Sequence, residues 1–100
     1  MKHFIVLINY IAPLEQIEAT TPVHREFLKH GYEKGFLLFS GPRVPRTGGL
    51  VCAKGETLEE VDSFFMNDPY RKNNLADYEF IQFRPLNKQQ FLTGWLEEIE

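Results

Sequence analysis

The stretch that most limits what this 100-residue chain can fold into is residues 3–11, His-Phe-Ile-Val-Leu-Ile-Asn-Tyr-Ile. Its alternation is that of a strand, yet neither face is polar. Phe4, Val6 and Ile8 fall on one side, Ile5 and Leu7 on the other. A strand that is apolar on both faces belongs in the middle of a sheet covered on both sides. Chains of this length form one domain, and 43% hydrophobic residues are enough for a core. So small a core is marginally stable alone, so an oligomer interface is a natural supplement.

The rest of the chain supplies helices for only one of those faces. Residues 14–19 read as a short helical turn. A main helix then opens at Thr21-Pro22, threonine suiting the N-cap and proline the first helical position. His24, Phe27, Leu28 and Gly31 share one of its faces, with Tyr32 beside them, and Gly35 suits its C-terminal end. Residues 36–40 are a second strand, broken by Gly41-Pro42. A loop carrying Arg43, Arg46 and Gly48-Gly49 leads to a third strand over residues 50–54. Thr57 and Glu60 form a capping box for a helix over 57–67. Leu58, Val61, Phe64 and Phe65 make its apolar stripe, and Pro69 stops it. One helical turn within 70–75 precedes a fourth strand inside 76–85, where Phe80 and Gln82 alternate with Ile81 and Phe83. Asn87 and Gln90 read as the capping pair of a last amphipathic helix carrying Phe91, Leu92, Trp95, Leu96 and Ile99.

This β-α-β-β-α-β order is the split βαβ plan of an α+β, ferredoxin-like domain. Residues 1–86 are its core and 87–100 an additional C-terminal helix. Right-handed crossovers place both long helices on the same sheet face. The opposite face keeps its apolar side chains and would stand open in a single chain, the kind of patch that marks an interface. A homodimer joined face to face is expected, with a higher homo-oligomer left open.

Composition narrows the function. Lysine and arginine number 11 against 14 acidic residues, a net charge of −3 with no basic stripe, which argues against nucleic-acid binding. Cys52 is the single cysteine, set among Leu50, Val51 and Ala53 as a buried strand thiol. No apolar run reaches membrane-spanning length, and Asn9 and Pro13 interrupt the first one too early for a signal peptide. A cytoplasmic protein is expected. His3, His24 and His30 lack metal-ligand spacing. No phosphate-binding or dinucleotide-binding glycine motif appears, so neither metal nor cofactor is expected.

In this topology the start of the first helix, the turn after the second strand and the end of the second helix lie at one end of the sheet. His24, the Ser40-Gly41-Pro42-Arg43 turn and Asp68-Pro69-Tyr70 therefore converge. His24 falls in the first turn of its helix, where the positive dipole end disfavours imidazolium. Asp68 would favour it and fix the tautomer. These influences oppose, and the sequence leaves the balance open. Asp68 sits at a helix C-terminus, which is unfavourable for a carboxylate unless a cation or several donors compensate it. Alternatively it makes a local Asx-type turn. Ser40 offers a hydroxyl, and Arg43 and Arg46 offer anion-binding forks.

The residues Pro22-Val23-His24-Arg25, Gly35 followed by Phe36-Leu37-Leu38-Phe39-Ser40-Gly41-Pro42, Gly48-Gly49-Leu50, Asn67-Asp68-Pro69-Tyr70 and Tyr78-Glu79-Phe80 together resemble the YCII-related (YciI-like) family over almost the whole length. The resemblance implies a dimeric α+β barrel and a histidine–aspartate site, which fall on His24 and Asp68. Some relatives dehydrochlorinate chlorinated hydroxyquinols, which implies proton-transfer chemistry of a lyase or isomerase type. Ser40, Gly41, Pro42, Arg43 and Tyr70 are the expected substrate-binding positions. The alternative is a non-catalytic dimeric module, binding a small ligand or associated with stress. A weaker one is an interaction subunit using the last helix.

Overall fold

The computed structural model describes residues 1–96. They form β1 (Lys2–Tyr10), α1 (Leu14–Glu33), β2 (Leu37–Pro42), β3 (Gly48–Gly55), α2 (Leu58–Phe65), α3 (Pro69–Lys72) and β4 (Ala76–Phe83), then a 3-10 turn (Gln90–Leu92) and α4 (Thr93–Leu96). The four strands make one antiparallel sheet in the order β2-β3-β1-β4, as the ferredoxin-like plan requires. β1 is central. Val6 pairs with Val51 on one side and Phe80 on the other. Strand and backbone approach closely at Gly48, where a Cβ would run into the Ile8 carbonyl, so only glycine fits.

Phe4, Val6 and Ile8 are at most 2% exposed and face Ile17 and Leu28 of α1 and Val61 and Phe65 of α2 in one core cluster. Each such side chain contributes about 1.5–3 kcal/mol on burial, which is what holds both helices on this face.

Helix α1 differs from its expected form. It runs unbroken from Leu14, with Pro22 inside it rather than at its start. Proline in a helix interior removes a hydrogen bond and costs about 3 kcal/mol. Burial of Ile17 offsets that cost, because this side chain is fully enclosed only if residues 14–20 continue the helix. The Thr21 hydroxyl donates to the Ile17 carbonyl at 2.8 Å, adding a bond in the turn that Pro22 weakens. His24 is thus ten residues beyond Leu14, and the N-terminal dipole argument does not apply to it. The helix ends as expected. Gly35 has φ 80°, and the Gly35 and Phe36 amides donate to the carbonyls of Tyr32 and Gly31 at 3.0 and 2.9 Å, a Schellman motif.

Gly41-Pro42 does not break β2. The strand continues, pairing Gly41 with Leu50 and Pro42 with Gly49. β2 lies at the sheet edge, where a residue without an N–H is tolerated.

At α2 the capping box forms, with the Thr57 hydroxyl accepting from the Glu60 amide at 3.1 Å. The Glu60 carboxylate accepts from the Glu56 amide at 3.2 Å. The helix ends at Phe65, earlier than expected, and Pro69 opens α3 instead of stopping α2. Asp68 therefore caps a helix N-terminus rather than opposing a C-terminal dipole.

The C-terminal segment is also corrected. Among the described residues it is a 3-10 turn followed by four helical residues, Gln89 precedes it with no side-chain cap, and Phe91 is 83% exposed. Leu96 is buried, and Trp95 is half-buried. Its indole N–H donates to the Gly35 carbonyl at 3.0 Å, its ring lies 5.7 Å from that of His3, and the Lys54 ammonium sits 4.7 Å above it. His3 and Lys54 are cross-strand partners on the sheet face away from the helices, so Trp95 covers that end of it. Ile99 lies outside the described residues. Farther along the same face Phe39 and Ile81 remain 51% and 42% exposed, and Ile5, Leu7 and Leu50 are half-buried. Among the described residues no helix is long and apolar enough to cross a membrane.

Candidate functional site

Two backbone bonds gather the loops at one end of the sheet. The Tyr10 amide donates to the Thr47 carbonyl at 3.0 Å and the Ile11 amide to the Leu75 carbonyl at 2.9 Å. The end of β1, the β2–β3 turn and the α3 region are thereby tied together, and α1 packs against α3.

Asp68 lies at the centre of this end and is completely buried. Its backbone precedes Pro69, which holds it extended (φ −65°, ψ 126°) and aims the carboxylate back over the start of α3. Oδ1 accepts from the Tyr70 amide at 3.1 Å and lies 2.8 Å from His24 Nδ1. Oδ2 accepts from the Tyr78 hydroxyl at 2.5 Å. An oxygen set met by donors on both atoms is best read as an ionised acceptor, so we assign the proton between it and the ring to His24 Nδ1. In the neutral ring the lone pair is then at Nε2. Among the described residues nothing hydrogen-bonds Nε2, and the His24 ring lines a cavity of ≈ 280 Å³.

Tyr70 fixes the ring's plane. The two rings stack with centroids 3.9 Å apart and planes 14° from parallel. The Tyr70 hydroxyl lies 2.6 Å from Thr21 Oγ1. Thr21 commits its only proton to the Ile17 carbonyl, so Tyr70 must be the donor in that pair. Arg46 also donates to Thr21 Oγ1, at 3.2 Å. Burial pushes the Tyr70 phenol above its ordinary range, which keeps it a neutral donor.

The cavity lies between α1 and the β2–β3 hairpin, with Ile8 and Val51 among its apolar walls. Ser40, Gly41, Pro42 and Tyr70 line it together with His24. Ser40 Oγ lies 2.6 Å from the Tyr32 hydroxyl. Arg43 is placed differently. It is exposed, donates to Asn9 Oδ1 at 2.6 Å, and takes no part in the lining. Arg46 and Arg25 are the cations that line it instead. Sequence reading missed Thr21, Tyr10 and Tyr78. Tyr78 was findable, since it shares the helix-facing register of β4 with Ala76 and Phe80, close after the Asp68 turn. Thr21 was hidden by its assignment as an N-cap. Among the described residues no three His, Cys, Asp or Glu side chains gather to hold a metal ion.

The Tyr78 hydroxyl gives the site an alkaline signature. Burial first, then the Asp68 carboxylate, pushes its pKa far above the ordinary tyrosine range. Unfolded tyrosine ionises near about pH 10 while folded Tyr78 stays neutral, so its contribution is complete below that pH and is lost as pH rises beyond it. Urea unfolding between pH 7 and 11 should show stability falling above about pH 10, with a shallower fall in Tyr78→Phe. The variant should also lose about 1–3 kcal/mol at pH 7, because Asp68 Oδ2 is left without its donor. Parallel alkaline slopes in the two proteins would contradict this assignment.

Comparison with known proteins places this geometry in context. Among curated proteins no significant match is found. Among solved structures, a 5-chloro-2-hydroxyhydroquinone dehydrochlorinase from Burkholderia phenoliruptrix AC1100, in complex with 2,5-dihydroxybenzoquinone, superposes with a TM-score of 0.66. The match covers 82% of this chain and 91% of that one at 23% identity, and shows a shared fold. The YCII-related domain family matches residues 1–84, and the chain belongs to that family.

Proposed function

We propose that this protein is a homodimeric small-molecule enzyme in which His24 is the general base and Asp68 its orienter. The observation that carries the reading is His24 itself. One ring nitrogen is held by a buried carboxylate at 2.8 Å, and the residue lines a cavity. A base fixed in tautomer and orientation needs no reorganisation before accepting a proton. At ≈ 280 Å³ the cavity suits a molecule of about one ring. Nε2 takes a proton from carbon or oxygen of an enolisable substrate. In a lyase the released electron pair forms a double bond and expels the leaving group, such as chloride. In an isomerase the proton returns at another atom. The named activity of the structural neighbour, a dehydrochlorinase holding a dihydroxybenzoquinone, favours the lyase form. A cytoplasmic setting accompanies the proposal, since the lone Cys52 is buried and has no disulfide partner.

The dimer part of the proposal rests on Phe39 and Ile81, which stand 51% and 42% exposed on the helix-free face. A second copy packed there would bury roughly 1,200 Å² or more in total. Sedimentation should give a dimer at micromolar concentration and a monomer for Ile81→Lys, and a monomeric native protein would refute this part.

The chemistry is tested by chloride release from 5-chloro-2-hydroxyhydroquinone. His24→Ala should lower the rate by about 10²–10⁴-fold, the usual contribution of a positioned base. Asp68→Asn should lower it with substrate binding retained. Chloride release that is equal in native protein and His24→Ala would refute the base assignment.

A further inference from the structure

The cavity contains a charge that its own walls do not neutralise. Arg46 lines it, as does Arg25, and the Arg46 guanidinium donates to Thr21 Oγ1 at 3.2 Å. The Arg46 Nε is buried without a hydrogen-bond acceptor among the described residues. No carboxylate among them pairs with it. Asp68 is turned away, its oxygens occupied by His24, the Tyr70 amide and Tyr78. Asp62 is bound to Arg71 at 2.7 Å. The oxygens facing Arg46 are neutral. The phenols of Tyr10 and Tyr70 lie near enough to hold its pKa up, Tyr10 most strongly, and both Tyr70 and Thr21 are hydroxyls. A protein with a net charge of −3 has therefore kept the Arg46 guanidinium at this cavity without giving it an acid among the described residues.

A buried guanidinium N–H left without an acceptor is costly unless an anion meets it, and a guanidinium fork suits oxyanions specifically. The second coordinate is His24. Tyr70 links the two: its ring face lies on the His24 imidazole, and its hydroxyl leads through Thr21 to Arg46. Arg46 and His24 are thus linked on one cavity by one tyrosine. Walls from Ile8, Leu28 and Val51 supply apolar surface for the body of a ligand.

We propose that Arg46 is the anion anchor of this cavity, and that the ligand is a ring-sized acid whose carboxylate, enolate or phenolate oxygen binds Arg46 while its reacting atom meets His24. Arg46 sets affinity and substrate class, and His24 performs the proton transfer. The inference rests on the reading of this cavity as a small-molecule site, and it separates from the base assignment because the two residues are read by different measurements.

Calorimetry with 2,5-dihydroxybenzoquinone, ionised at neutral pH, and its neutral relative 2,5-dimethoxybenzoquinone provides the test. Native protein should bind the anion, and more weakly as salt is raised. Arg46→Met should weaken the anion by about tenfold or more while leaving the neutral ether within about twofold. Arg46→Lys should recover part of the loss, because it restores the charge without the fork. His24→Ala should keep anion affinity within about threefold even where chloride release is lost. Arg46 lies on a partly exposed loop, and matching amide spectra of Arg46→Met and Arg46→Lys would establish that both variants fold. Anion affinity unchanged in both variants, or no saturable binding of the anion by native protein, overturns the proposal. Anion binding that depends on Arg46 alongside chloride release that ignores His24 would uphold the anchor and refute only the base.

Discussion

The buried carboxylate of Asp68 holds this end of the molecule together. Among the described residues it is the one acid that is fully buried, and its partners come from separate parts of the chain: His24 on α1, the Tyr70 amide on α3 and the Tyr78 hydroxyl on β4. A carboxylate without such donors would not remain ionised inside a core. Its burial and the convergence of the three elements therefore imply each other. The same bonds set the orientation of His24. The stacked Tyr70 ring fixes the imidazole plane, and Asp68 fixes its rotation about that plane. The α3 turn brings both constraints together, because Pro69 extends Asp68 and starts the four-residue helix that carries Tyr70.

Above this anchor the fold supplies position rather than chemistry. β1 is filled on its helix side by Phe4, Val6 and Ile8, so the ends of its neighbours cannot shift independently. The cavity lies between α1 and the β2–β3 hairpin, and glycine at position 48 lets the backbones of β3 and β1 approach closely. One wall is then cationic at Arg46 and one basic at His24. The two are joined by hydroxyls that stay neutral because burial disfavours their ionisation.

Much of the fold was legible. The two apolar faces of β1 and the capping box at Thr57 identify a central strand and a helix start, and alternation of element types leaves few topologies. Two of the errors were local and shared one cause. Thr21-Pro22 reads as a helix start, and Gly41-Pro42 as a strand end, because proline's local preference is strong. Tertiary context overrode both: the buried Ile17 draws the helix back to Leu14, and the edge position of β2 makes the proline harmless. The site was legible in its pairs of residues but not in its details. Topology brings His24 and Asp68 to one end of the sheet, yet only register shows Tyr78 beneath the carboxylate. Side-chain reach decides that Arg46 rather than Arg43 faces the cavity.

The most direct measurement is the tautomer of the His24 ring, read from long-range nitrogen–proton correlations in ¹⁵N-labelled protein at a pH where the ring is neutral. The hydrogen bond from Nδ1 to Asp68 predicts the Nδ1–H form with an unprotonated Nε2, and a switch away from that form in Asp68→Asn. A ring protonated at Nε2 in the native protein would contradict it, since the nitrogen on the cavity would then be a donor and have no lone pair with which to accept a proton.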